Sequence, residues 1–96
     1  MEIIQEESET NGQFTASKNG QQVGELTYSV NKDFIIADHT GIHEDYKGKG
    51  VGKQLFLALV AHLRQNKRKV MPLCPFVRAM FERHPEMHDV LRHQSL

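Results

Sequence analysis

The sequence predicts an α+β domain built on a mixed, mostly antiparallel sheet, with one crossover helix and one C-terminal helix. Three observations carry that expectation. Residues 2–40 hold runs in which apolar and polar positions alternate, cut by turn signals, as in a meander of strands. A glycine-rich stretch at 46–53 then opens a helix from about Val51 to Gln65, whose apolar residues recur at three- and four-residue spacing. A short apolar run and a second helix starting at Pro75 complete the order.

Each element has its own signal. Residues 2–6 read as a short strand, and polar residues 7–13 as a turn with Asn11-Gly12 near its end. Gln13 to Lys18 alternates Phe14 and Ala16 with polar residues, so one face is half buried. Asn19-Gly20 predicts a type I′ hairpin turn, because both central residues need positive φ. Val23 to Val30 is the return strand, and Asn31-Lys32-Asp33 the next turn. Phe34 to Thr40 is the most apolar strand, expected to be central with both faces covered. Gly41 marks an expected bulge or close backbone approach. In the first helix Val51, Leu55, Phe56, Leu59, Val60 and Leu63 form the stripe that packs on the sheet. Asn66 stops it, and Arg64, Lys67 and Arg68 suit the negative end of its dipole. Lys69 to Leu73 is a short strand in which Pro72 indicates an edge. The second helix puts Phe76, Val77, Met80 and Phe81 on one face and ends before Pro85. Residues 86–96 are expected to add one docked turn and then fray. The crossover makes strands 34–40 and 69–73 parallel neighbours. The glycine-rich loop then lies past the C-terminal end of a central strand, where open α/β sheets bind ligands.

With 96 residues the chain is read as one domain, 1–96. Its 12 basic and 12 acidic residues cancel, so no global charge points to nucleic acid or a membrane surface. The basic cluster Arg64, Lys67, Arg68, Lys69 lacks interleaved aromatics and reads as solvated surface. The apolar run Leu55–Ala61 is too short to span a bilayer, and the N-terminus lacks the pattern of a signal peptide. A cytoplasmic monomer is the resulting expectation. A single cysteine excludes an internal disulfide and a cysteine-rich zinc site. No metal is expected: Gly41 intervenes between His39 and His43, and Pro85 breaks the helical spacing of His84 and His88.

The loop Tyr46-Lys47-Gly48-Lys49-Gly50-Val51-Gly52-Lys53 carries the strongest chemical signal. Glycine lets a backbone come close to a ligand, and a helix N-terminus presents N–H groups and partial positive charge to an anion. From the residues alone the loop is either a phosphate cradle or a plain strand-to-helix turn. It is not a Walker A loop, since Gln54 follows Gly52-Lys53, and its glycine spacing is not that of a dinucleotide fingerprint.

Lys47 to Gly52 is similar to the acyl-CoA pyrophosphate loop of the GNAT N-acetyltransferases, Gln/Arg-x-x-Gly-x-Gly/Ala, with Lys47 in the first place. His39-Thr40 before the loop, and Cys74-Pro75-Phe76-Val77 and Arg83-His84-Pro85-Glu86 after the helix, resemble in the same order a small GNAT-like subfamily of about this length. The resemblance covers roughly residues 13–90. It implies a reduced GNAT fold without the N-terminal helices that help shape the acceptor pocket in larger relatives. It also implies acetyl-CoA as ligand and acetyl transfer to an amine acceptor, small molecule or protein, that it does not identify. The residues expected to hold acetyl-CoA are Thr40, Gly41 and Ile42 on the strand, Lys47, Gly48, Lys49, Gly50, Val51, Gly52 and Lys53 in the loop, and Phe76 beyond the helix.

Two side chains are candidates for catalysis. Cys74 stands at the N-cap of the second helix, a position that activates a thiol as nucleophile. It would accept the acetyl group, react with the CoA thiol, or serve as a small buried residue. His39 would act as general base toward an acceptor ammonium, or as a hydrogen-bonded core histidine. Tyr28 is read as a packing residue with its hydroxyl at the rim, or as a general acid. The other functional class left open is a CoA-binding or regulatory module without transfer of its own.

Overall fold

Tight turns and one crossover set the strand order in the computed structural model, which describes residues 1–92. Strands β1 (Glu2–Glu7), β2 (Asn11–Lys18), β3 (Gln21–Val30), β4 (Ile35–Ile42) and β5 (Val70–Pro72) lie in chain order across one sheet. The first four pair antiparallel. β4 and β5 pair parallel through Ile35↔Val70, Ile36↔Met71 and Ala37↔Pro72. Between them runs helix α1 (Val51–Gln65), and helix α2 (Pro75–Arg83) follows β5. A 3-10 turn at Pro85–Val90 closes the described chain. Residues 93–96, part of the segment expected to fray, lie outside the described residues. No helix among the described residues is long and apolar enough to cross a membrane.

The Asn19-Gly20 turn has the positive φ values it requires, 53° and 78°. Asn11-Gly12 does not behave as expected. Both residues belong to β2, and the turn before them is closed by Ser8, whose N–H donates to the Asn11 carbonyl at 2.7 Å. Gly12 is there for packing. A Cβ at this position would lie 2.1 Å from Tyr28 Cζ, so only glycine leaves room for the buried ring.

β4 departs from expectation in two ways. It has a strand on each side, but only one face is covered: Ile35 and Ala37 are buried, while Asp38 and His39 are exposed. Phe34 adds to the apolar run without entering the strand, and its ring lies 4.0 Å beneath the Arg92 guanidinium. The bulge sits at Asp38 rather than Gly41, where pairing shifts from Tyr28↔Ala37 to Thr27↔His39. A bulge adds one residue and resets which side chains share a face. Thr40 and Ile42 therefore stand with Leu26 and Gly24 on the core face, and His39 and Gly41 point to the outer one.

Both helices pack on the core face and share one cluster with the strands. The predicted stripe of α1 is buried as expected, and Phe56 meets Phe81 of α2 edge to face at 4.9 Å. Asn66 caps α1, and the turn after it uses a left-handed Lys67 (φ 53°) that the sequence did not signal.

Edge strand β1 is tied to the far end of α1 by a polar network. Arg68 donates to both Glu7 carboxylate oxygens at 2.7 and 3.2 Å. The Tyr28 hydroxyl donates to Glu7 and accepts from Gln5, each at 2.7 Å. His62 Nε2 lies 3.0 Å from Arg68 Nη1. The Arg68 hydrogen bond holds the Glu7 carboxyl below its ordinary 4.5. Burial, then the Arg68 charge, lowers the His62 imidazole below 6.5. Burial above all pushes the Tyr28 phenol from 10.0 up to about 12.

Gly12→Ala overpacks against Tyr28 and should lower unfolding free energy by about 1–3 kcal/mol in urea titration. The network should also give stability a plateau in pH. Folded Glu7 and His62 favour their deprotonated forms, so their contribution is complete above 6.5 and is lost as the pH falls through the folded His62 and then Glu7 values. Folded Tyr28 favours its protonated form, so its contribution is present below 10.0 and is lost as the pH rises toward about 12. Urea midpoints measured across pH should fall on both sides, and Tyr28→Phe should remove the alkaline fall.

Candidate functional site

The site begins where β5 leaves β4. The Ala37 carbonyl accepts the last two N–H groups of this edge, from Leu73 at 3.1 Å and Cys74 at 2.9 Å. Pro75, already fixed for a first helical turn, then diverts the chain into α2. β4 continues to Ile42, still paired with β3 but with no strand on its β5 side among the described residues. The His43 N–H donates to the Val23 carbonyl on the β3 side. By the alternation of an antiparallel ladder, the N–H and C=O groups of Thr40 and Ile42 therefore face the opened side.

The loop supplies the second wall. A 3-10 turn at Glu44–Tyr46 precedes it. Gly48 and Gly50 take φ values of 78° and 82°, left-handed conformations that favour glycine. Gly50 is the N-cap of α1 with no side-chain cap bond, and no acidic residue stands in the first turn. The first N–H groups of the helix and its positive pole are thus unopposed by protein carboxylates. Gly52 allows α2 to approach, since a Cβ there would lie 2.6 Å from Phe76 Cζ.

These walls enclose one cleft of about 730 Å³. Its lining takes in every expected binding residue except Lys49, running from Thr40, Gly41 and Ile42 past the loop to Phe76. It also includes Tyr46, Met80, Arg83 and His84, and no Asp or Glu. The lysines differ in their surroundings. Lys47 pairs with Glu44 at 3.2 Å on an exposed surface, where such a pair is weak. The Lys49 ammonium lies 5.7 Å from the Tyr46 ring centre and outside the cleft lining.

The two catalytic candidates lie beside the cleft, outside its lining. Cys74 is the N-cap of α2 and only 3% exposed, with its Sγ 3.3 Å from Thr40 Oγ1. His39 is exposed on the outer face. Its Nε2 and the Glu25 Cγ lie 3.2 and 3.8 Å from where a Gly41 Cβ would stand, so the two side chains flank that glycine. Tyr28 lies outside the cleft lining, its hydroxyl committed to Glu7 and Gln5.

Residues 13–90 match the family model described as GCN5-related N-acetyl-transferase. The chain belongs to the GCN5-related N-acetyltransferase (GNAT) family. The solution structure of a GCN5-like protein from Staphylococcus aureus is similar over 98% of this chain and 90% of its own, with 33% identity and a TM-score of 0.68. The ribosomal-protein-alanine N-acetyltransferase of Brucella melitensis aligns with 93% of this chain and 67% of its own, at 18% identity and a TM-score of 0.67. The aminoglycoside N-acetyltransferase AAC(6′)-Iy, solved with CoA, covers 93% of this chain and 76% of its own, at 14% identity and a TM-score of 0.58. The last two show the fold alone. No curated protein matches the chain.

The cleft of this GNAT domain is lined by residues that the motif did not mark. Met80 and Arg83 reach the cleft because α2 lies against the first turn of α1, a contact visible only in three dimensions. The segment Arg83-His84-Pro85-Glu86 marks the resemblance in sequence but assigns Arg83 and His84 no role. Gly52 and Phe76 should be energetically coupled. Gly52→Ala forces the Phe76 ring to move, whereas in a Phe76→Ala background it adds only helix propensity. A double-mutant cycle should give a coupling energy of about 1 kcal/mol or more.

Proposed function

We propose that this GNAT domain moves an acetyl group from acetyl-CoA to an amine. One observation carries the reading. The opened backbone edge of β4 and the uncapped N-terminus of α1 line the same cleft, which holds no carboxylate. Such a cleft suits a ligand with an anionic middle and an amide-bearing arm. The N–H groups of residues 48–53 would hold the pyrophosphate, and Thr40 and Ile42 would pair with the pantetheine amides as a neighbouring strand would. Lys53 would add attraction to the phosphates, and Phe76 an apolar contact.

In the transfer itself the amine nitrogen attacks the thioester carbonyl carbon, the C–S bond breaks, and CoA leaves as a thiolate. His39 would take the proton released by the amine, because it faces solvent beside Gly41 on the strand that would carry the thioester. Glu25 on the other side of Gly41 favours a cationic acceptor at that position. Thr40, whose hydroxyl lies 3.3 Å from Cys74 Sγ, would donate a hydrogen bond to the departing thiolate, which leaves as the anion and takes its proton from solvent. Burial of Cys74 favours direct transfer over a route in which its sulfur first takes the acetyl group and CoA leaves as the thiol.

A second reading is a CoA-binding module without transfer. The bare outer face of the sheet favours it, since both helices pack on the other face. A panel of primary amines incubated with acetyl-CoA separates the two: CoA release that depends on the amine supports transfer, and binding without release supports the module. His39→Gln should lower turnover by roughly a hundredfold with acetyl-CoA affinity retained. Gly50→Val, which strains the left-handed N-cap, should weaken acetyl-CoA binding by about tenfold in calorimetry. Cys74→Ala should keep most turnover, and an acetyl adduct on Cys74 by intact mass would instead establish the covalent route.

A further inference from the structure

We infer that Arg83 reads the 3′-phosphate of coenzyme A, so that the cleft distinguishes CoA from its 3′-dephospho form. The inference deepens the acetyl-CoA reading and rests on it. Four cationic side chains belong to the loop and the cleft lining: Lys47, Lys49, Lys53 and Arg83. Lys47 is paired with Glu44, and Lys49 lies over Tyr46. Among the described residues, Lys53 and Arg83 have neither an ion pair nor a cation–π partner. They stand on different helices, Lys53 in the first turn of α1 and Arg83 at the last position of α2.

The order of the cleft gives these two cations different tasks. α2 starts against β4, with Cys74 at Thr40, passes the N-terminus of α1, with Phe76 at Gly52, and ends with His84 beside Phe56 further along α1. Met80, Arg83 and His84, from the end of α2 away from β4, line the same cleft. The His84 ring stacks on Phe56 of α1 at 6.0 Å and 27°, and its Nδ1 lies 3.2 Å from Glu86. That contact holds the end of α2 against α1. A ligand anchored by its pyrophosphate at α1, with its pantetheine arm along β4, directs its other arm toward Arg83. In CoA that arm is adenosine bearing a phosphate at the 3′ position. A guanidinium presents a planar fork that matches phosphate oxygens and keeps its charge at every working pH. The simpler role for an arginine at a helix C-terminus is to complement the dipole, and that role would not discriminate between the two nucleotides.

Calorimetric titration of the whole chain with CoA and with 3′-dephospho-CoA provides the test, with Arg83→Gln, Arg83→Lys and Lys53→Gln as variants. The unaltered chain should bind CoA about tenfold more tightly than the dephospho form, the size of one charge-assisted contact. Arg83→Gln should remove that ratio while leaving 3′-dephospho-CoA affinity unchanged, and Arg83→Lys should keep part of it. Lys53→Gln should weaken both ligands by the same factor, because both carry the pyrophosphate. Equal binding of the two nucleotides by the unaltered chain, or a ratio that survives Arg83→Gln, overturns the inference while leaving the acetyl-CoA reading intact. Binding of neither nucleotide overturns both.

Discussion

The architecture depends on where the β4–β5 ladder stops. Ala37 gives its single carbonyl to both Leu73 and Cys74, and the chain then turns into α2 at Pro75. Had β5 continued, its backbone would occupy the side of β4 that Thr40 and Ile42 now leave open. The same divergence brings Cys74 against Thr40 and lays α2 beside the first turn of α1. A three-residue strand and a proline-started helix therefore create an unpaired edge, a cleft and a buried thiol together.

The bulge at Asp38 divides the chemistry between the two faces of the sheet. It leaves Thr40 toward the core and the cleft, and His39 toward solvent with Glu25. Without the extra residue the alternation past Ala37 would exchange these positions. The uncapped start of α1 belongs to the same pattern. A side-chain cap in place of Gly50 would add only about a few tenths of a kcal/mol over glycine, and would occupy N–H groups that an anion would otherwise meet. The polar network from Gln5 and Glu7 to His62 and Arg68 fastens the other end of the same helix to β1.

Much of this was legible in the sequence because the signals are local. Asn19-Gly20 has one good backbone solution, the 51–65 stripe has one good face, and a helix between two strands fixes a parallel pair. The glycine loop could be read for the same reason, since its φ requirements are written in its own residues. Features that depend on distant packing were not legible. Gly12 looks like turn chemistry until the Tyr28 ring is set over it, and the apolar run at Phe34 looks doubly buried until Arg92 covers that ring. The bulge position depends on the register with β3. Arg83 becomes a cleft residue only through the placement of α2, and Lys49 stands outside the cleft lining with its ammonium 5.7 Å from the Tyr46 ring centre.

The central claim is that the β4 edge and the α1 N-terminus act as one site for an acyl-CoA. An amide-resolved NMR titration of the labelled chain with CoA tests it most directly. The backbone N–H signals of Gly48–Lys53 should move together with those of Thr40 and Ile42, following one saturation curve. Shifts confined to either wall alone, or gathered on the outer face of the sheet, would contradict it.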